Sequence, residues 1–165
     1  MQHVQTRSTT SALVLTAVLI ALATLFTMYT KIPVPGIRGY FNVGDVVIMT
    51  SALLLGRKYG AYIGAIGPAL ADLFLGYAVF VPITFVVKGI EGYLVGTVYN
   101  HKTTTSALVA TIVGGIIIVA GYFIAEYFVF DPGVAIASIL TNTIQAVMSV
   151  IVSMILYVIL RKRLG

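Results

Sequence analysis

From Ser11 to Thr30 the chain runs for twenty residues without one charged side chain, and apolar runs of this kind recur along most of its length. About 20 apolar residues are what an α-helix needs to cross a hydrocarbon layer about 30 Å thick. In that layer every backbone N–H and C=O must be satisfied internally, which leaves helices or a closed barrel as spanning structures. The first run has no small-residue cleavage site followed by a polar mature sequence, so it reads as a retained helix rather than a secretory signal. Charged residues are 9% of the chain and apolar ones 59%, with a mean hydropathy of +1.05. A soluble domain carries roughly 25% charge, so too little is present to clothe a water-facing surface. A soluble enzyme and a nucleic-acid-binding domain are both excluded.

The punctuation between runs predicts an all-α integral membrane protein, a single domain over 1–165 with six transmembrane helices near 11–30, 42–56, 59–77, 82–99, 106–130 and 133–160. The second is short for a span. Six crossings place both termini on one side. Arg7, Arg57, Lys58, Lys102, Arg161, Lys162 and Arg163 then share a face, against Lys31 and Arg38 on the other. Basic residues concentrate on the cytoplasmic side, so both termini are expected in the cytoplasm. The net charge of +5 thus speaks of membrane orientation and not of nucleic acid. The longest connection, from Lys31 to Phe41, is expected outside; its prolines and glycines suit either a plain connector or a loop that covers a site.

Ionisable groups at membrane depth cost several kcal/mol unless paired or hydrated, so each is a candidate for function. Asp45, Asp72, Lys88, Glu91, Asn142 and Gln145 all fall in the expected outer half, Lys88 and Glu91 roughly 9 and 13 Å below the outer end of their helix at 1.5 Å per residue. A channel or proton relay needs polar groups through the whole thickness, whereas a pocket open to the outside needs them only here. Thr84, Lys88 and Glu91 share one helical face. Ser138, Asn142, Gln145, Ser149 and Ser153 form a polar stripe on the last helix, read as interhelical hydrogen bonding for the two later serines and as possible ligand contact for the amides. Lys88 is the lone cation at depth; it meets a polar substrate or forms an internal ion pair with Glu91 or Asp72. Asp45 is expected to cap its helix and Glu126 to be solvated. Tyr40, Phe41, Tyr77 and Phe80 are either an interfacial aromatic belt or a surface for stacking a planar ligand. The candidate substrate-binding residues are therefore Lys88, Asn142, Gln145, Asp72, Glu91, Thr84, Tyr40 and Tyr77.

Small residues at a spacing of four let helices approach closely: Ala17 and Ala21 in the first helix, Gly60 and Gly64 in the third, Gly92 and Gly96 in the fourth. Such faces serve internal packing, and the one on the first helix suits a partner subunit as well. There is no GxxxxGK[ST], HExxH or GxSxG motif. The chain has no cysteine, and His3 and His101 stand apart from any cluster. No catalytic residue, metal site or cofactor is expected, and the two halves show no internal repeat of the kind common in secondary transporters.

The stretch from Tyr40 to Gly96 resembles the substrate-binding S components of energy-coupling factor (ECF) vitamin transporters, and is most similar to the riboflavin-type family, which includes proteins assigned to hydroxymethylpyrimidine and pyridoxine. Asn42-x-Gly44-Asp45, Ala69-x-x-Asp72-x-x-x-Gly76-Tyr77 and Lys88-Gly89-x-Glu91-Gly92 carry the resemblance, which extends with length and span number over nearly the whole chain. It implies an S-component-like bundle that binds a small vitamin in an outward pocket under the first loop. It also implies partnership with a membrane coupling subunit, docked through Ala17 and Ala21, and with two cytoplasmic ATPases, in the plasma membrane of a prokaryote. ATP hydrolysis would then belong to the partners. One lysine, two amides and several tyrosines suit a small planar heteroaromatic with hydroxyl groups, pyridoxine- or hydroxymethylpyrimidine-like first and riboflavin second. The rival reading is an autonomous facilitator or a non-transport scaffold, distinguished by uptake that persists without coupling ATPases.

Overall fold

The structure, a computed structural model, describes residues 9–30, 32–33, 40–100 and 103–164. Six helices follow one another: α1 (Thr9–Tyr29), α2 (Gly44–Leu55), α3 (Arg57–Phe74), α4 (Phe80–Val98), α5 (Thr104–Val129) and α6 (Pro132–Leu164). Between α1 and α2, two short strands, β1 (Ile32–Pro33) and β2 (Tyr40–Phe41), pair antiparallel with Ile32 opposite Phe41. That pairing closes the first connection at its base, where the sequence suggested only loop.

Four helices, α1, α4, α5 and α6, are long and apolar enough to cross a membrane. Their outward faces carry large apolar side chains, among them Leu13 and Val18 on α1, Ile116 and Phe128 on α5, and Leu140 and Ile155 on α6. In water so much contiguous apolar surface would drive association; against lipid it is the expected face. The short second helix behaves differently. Its 12 residues rise only about 18 Å, and every residue from Gly44 to Leu53 is buried. Helix α2 is thus surrounded by protein: it touches every other helix, while α1, α3, α4, α5 and α6 contact one another in that sequence around it.

Close approach of α3 and α4 depends on glycine. A Cβ on Gly60 would stand 2.5 Å from the Gly92 carbonyl oxygen and 2.6 Å from the Ala52 Cβ, so nothing larger fits where α2, α3 and α4 meet. Two other glycines serve the backbone and not the packing. Gly56, the single residue between α2 and α3, has φ +90° and open space around it. Gly76 has φ +79°, and the Tyr77 N–H to Asp72 C=O and Gly76 N–H to Leu73 C=O bonds of 2.8 and 3.2 Å close α3 in a Schellman motif. The turn ends α3 within one turn of Asp72. Helix α6 starts on Pro132, with the Asp131 carboxylate accepting the Gly133 and Val134 N–H groups at 2.8 and 3.1 Å.

The bundle has two chemically distinct ends. At one, the Tyr99 and Tyr157 hydroxyls bond, Arg161 Nη1 donates to the Tyr157 hydroxyl at 3.0 Å, and Arg57 stands over the Tyr93 ring at 5.9 Å. Arg57, Lys58 and the Arg161–Arg163 run therefore gather here. An apolar core of Met49, Leu53, Val95, Ala107, Ala110, Ile118 and Ala146 fills the middle. The opposite end, reached by the N-terminal parts of α2, α4 and α6 and the C-terminal parts of α1, α3 and α5, holds the polar site.

Candidate functional site

Two turns inside α4, the Lys88 ammonium is buried with two carboxylates: it donates to Asp45 Oδ1 at 2.5 Å and lies 3.4 Å from Glu91 Oε2. Taking such charges out of water costs several kcal/mol each, which only mutual pairing and further hydrogen bonds offset. Asp45 receives the second bond it needs from Gln145 Nε2 at 2.8 Å, and Gln145 Oε1 in turn accepts the Asn42 backbone N–H at 3.0 Å. Asn42 Oδ1 accepts the Gly44 N–H at 2.8 Å, an Asx turn that leads the chain into α2. The network joins α2, α4 and α6, three helices that meet nowhere else through charged groups among the described residues.

Above it lies a pocket lined by Thr27, Asn42, Pro68, Asp72, Phe80, Thr84, Lys88, Tyr122, Glu126, Ser138, Thr141, Asn142 and Gln145. All six helices or their immediate flanks contribute. The cavity volume is about 40 Å³, room for about three waters. Thr84 Oγ1 and the Tyr122 hydroxyl bond at 3.0 Å, and the Lys88 ammonium stands 5.4 Å from the centre of the Tyr122 ring, a cation–π contact. Phe80 packs on Phe130 at 5.4 Å and forms an apolar wall. Two polar atoms at the pocket are buried without a hydrogen-bond partner, Asn142 Nδ2 and Thr27 Oγ1. Buried donors are nearly always satisfied, so Asn142 Nδ2 is open to a bound molecule or ordered water, whereas Thr27 Oγ1 is packed against Gly44, 2.1 Å from where a Cβ on that glycine would stand.

Of the residues singled out in the sequence, Lys88, Asp72, Thr84, Asn142 and Gln145 line this pocket. Gln145 is largely committed, its carbonyl to Asn42 and one N–H to Asp45. Glu91 is fully buried and does not line the pocket. Tyr77 stands at the edge, its ring 6.3 Å from that of Phe80. The Tyr40 side chain, the loop over 34–39, His3 and His101 lie outside the described residues. Ala17 and Ala21 are exposed on the outer face of α1, whereas Ala23, on its inner face, is buried against α3. Among the described residues no group of His, Cys, Asp or Glu side chains is placed to hold a metal ion.

Three expectations are corrected. Asp45 does not cap α2: the cap position is Val43, with no side-chain cap bond, and the Asp45 carboxylate points instead to Lys88 and Gln145. Of the two carboxylates expected beside Lys88, Glu91 is there, while the place of Asp72 is taken by Asp45. Glu126 is not solvated; it is 3% exposed and accepts a hydrogen bond from Ser138. Tyr122, Glu126 and Thr27 were missed as pocket residues. A signal existed for α5: Ile118, Tyr122 and Glu126 recur every four residues, one helical face. The uniform hydropathy of α5 hid it.

A model of the family described as "ECF-type riboflavin transporter, S component" matches residues 7–162. An uncharacterised protein of Pyrococcus woesei is 41% identical over 145 residues, covering 86% of this chain and 96% of its own length. The thiamine precursor transporter HmpT of Lactococcus lactis subsp. cremoris is 30% identical over 143 residues, covering 86% of this chain and 80% of that protein. A solved structure of the S component of a bacterial ECF transporter superposes with a TM-score of 0.71 at 21% identity, over 93% of this chain and 96% of that one; at that identity the likeness concerns the fold.

Proposed function

This chain belongs to the family of ECF-type riboflavin transporter S components, and from that premise we propose that it captures a small heteroaromatic vitamin or vitamin precursor, hydroxymethylpyrimidine- or pyridoxine-like, in the pocket that all six helices or their flanks line. The family consists of transport subunits and not enzymes, and this member is a multi-pass membrane protein. The observation that carries the substrate reading is the pocket itself: buried, walled by Phe80 and Tyr122, and supplied with an unpartnered donor at Asn142. Ligand sites combine apolar walls with a few convergent polar groups in this way. A cavity of about 40 Å³ has to widen for any ring, and by far less for a single ring than for the three fused rings and polyol tail of riboflavin. The name of the Lactococcus relative, a thiamine precursor transporter, supports the same choice.

Polar groups are concentrated at the end opposite Arg57, Lys58 and Arg161–Arg163. With that basic end in the cytoplasm, the pocket opens outward. Delivery then needs a membrane coupling subunit and two cytoplasmic ATPases, the coupling subunit meeting the exposed Ala17–Ala21 face of α1, in the plasma membrane of a prokaryote. The test is mass spectrometry of small molecules released from purified protein, followed by titration with hydroxymethylpyrimidine, pyridoxine and riboflavin. A stoichiometric single-ring ligand at nanomolar affinity is expected. Binding of riboflavin alone overturns the substrate, and no binding across the panel overturns the pocket. Uptake that persists in cells lacking coupling ATPases favours an autonomous facilitator instead.

A further inference from the structure

Glu126 has a chemistry that the Lys88 network leaves unused. It sits 3% exposed near the end of α5 and lines the pocket. Its one hydrogen-bond partner among the described residues is the Ser138 hydroxyl of α6, and it pairs with no cation there, since Lys88 is held by Asp45 and Glu91. A carboxyl group has two oxygens with acceptor capacity, and the Ser138 hydroxyl engages only Oε2, which leaves Oε1 open for a further bond. On the same α6 face as Ser138, one turn or about 6 Å further along, Asn142 presents its unpartnered Nδ2 donor. The pocket therefore has an acceptor at Glu126 and, one helical turn along α6 from the Ser138 that holds it, a donor at Asn142.

Resting on the reading that this pocket takes a single heteroaromatic ring, we propose that Glu126, oriented by Ser138, is the specificity-determining residue for an exocyclic amine on that ring, so that the substrate class is an amino-substituted nitrogen heterocycle. The amine N–H donates to the free oxygen of Glu126, while Asn142 Nδ2 donates to a ring nitrogen or hydroxyl oxygen across the ring. A ring that carries only carbonyl or ether acceptors at the amine position meets the carboxylate with lone pair against lone pair and is rejected.

Calorimetric titration of the purified full chain with two probes tests this: 4-amino-5-hydroxymethyl-2-methylpyrimidine and its 4-methoxy counterpart, in which an ether oxygen with no N–H beside it replaces the amine. The parent protein is expected to prefer the amino probe by about 10- to 100-fold, the range for one hydrogen bond to a charged group. Glu126→Gln, which keeps the shape and gains a donor, should bring that ratio close to one. Asn142→Ala should weaken both probes alike and leave the ratio intact, a separation that a merely structural role for Glu126 would not produce. Ser138→Ala, which leaves the carboxylate in place without its orienting bond, should narrow the ratio partly; it also serves where Glu126→Gln does not purify as folded protein. An unchanged ratio in Glu126→Gln or, failing that variant, in Ser138→Ala overturns the assignment while the pocket reading stands. A parent protein that binds neither probe overturns both.

Discussion

Lys88 and Asn142 face the same pocket and are expected to respond to truncation in different ways. Lys88 neutralises two buried carboxylates, so Lys88→Ala strands Asp45 and Glu91 together in the interior. Breaking a buried pair from one side costs about 3–5 kcal/mol, and the variant should unfold well below the parent in a thermal melt in detergent. A melt that does not move would show that the pairing does not hold α2 to α4. Asn142 Nδ2 has no protein partner to lose. Asn142→Ala should therefore leave the melt nearly unchanged while weakening ligand about tenfold, the worth of one ordinary hydrogen bond. Which residues reach the pocket was partly legible beforehand: Asn142 and Gln145 announced themselves as amides on an apolar helix. Asp45 did not, because an acid at the start of a helix is sufficiently explained by capping, and only the approach of α4 and α6 shows where its carboxylate goes.

Helix α2 and the α3–α4 pair show how element geometry delivers that site. Ten consecutive buried residues in α2 make it a strut at the centre, and its N-terminus delivers Asn42 and Asp45 to the pocket floor. The α3–α4 contact is set by glycine, and two kinds of glycine should separate experimentally. Gly60→Ala introduces a methyl 2.5 Å from a backbone oxygen, which forces the helices apart; overpacking of this kind costs about 1–3 kcal/mol. Because α3 and α4 carry Asp72 and Lys88, ligand affinity should fall along with stability. Gly56→Ala meets open space but must adopt φ +90° and ψ 178°, a region nearly reserved for glycine that costs an L-residue about 1–3 kcal/mol, and it lies at the end away from the pocket. It should lower the melting temperature and spare affinity. Equal loss of affinity in both variants would mean that the α3–α4 spacing is not what positions the site. The glycine spacing was readable as a packing face, and spans expected at 42–56 and 59–77 left only Arg57-Lys58 for the corner; that Gly56 makes the turn alone was not readable.

At the scale of the whole molecule, orientation and partnership are open to direct tests. The chain has no cysteine, so single cysteines report without background. In intact cells Ala78→Cys, in the exposed turn between α3 and α4, should react with a membrane-impermeant maleimide, while Lys58→Cys should react only after lysis. The reverse pattern inverts the proposed orientation. Ala17 lies on the outward face of α1, away from α3, so Ala17→Trp adds bulk where no internal packing is disturbed. It should preserve ligand affinity and abolish co-purification with the coupling subunit, because small faces set how closely helices approach. Retained co-purification would move the docking surface elsewhere on the bundle.

The sequence by itself determined that this chain is a helical membrane protein with its polar groups gathered toward one end, because the absence of charge over span-length runs admits no other solvent and few other folds. Periodicity also placed Thr84, Lys88 and Glu91 on one face and Asn142 and Gln145 on another, since that depends only on 3.6 residues per turn. What tertiary structure alone decided is which faces meet. The burial of a 12-residue helix at the centre, the choice of Asp45 and not Asp72 as partner to Lys88, and the turning of Glu126 from lipid or water into the pocket all follow from pairings between residues some 12 to 100 positions apart. Local propensity is the same whether such a side chain ends in solvent or in a network; only the neighbouring helix supplies the charge or hydroxyl that makes burial affordable.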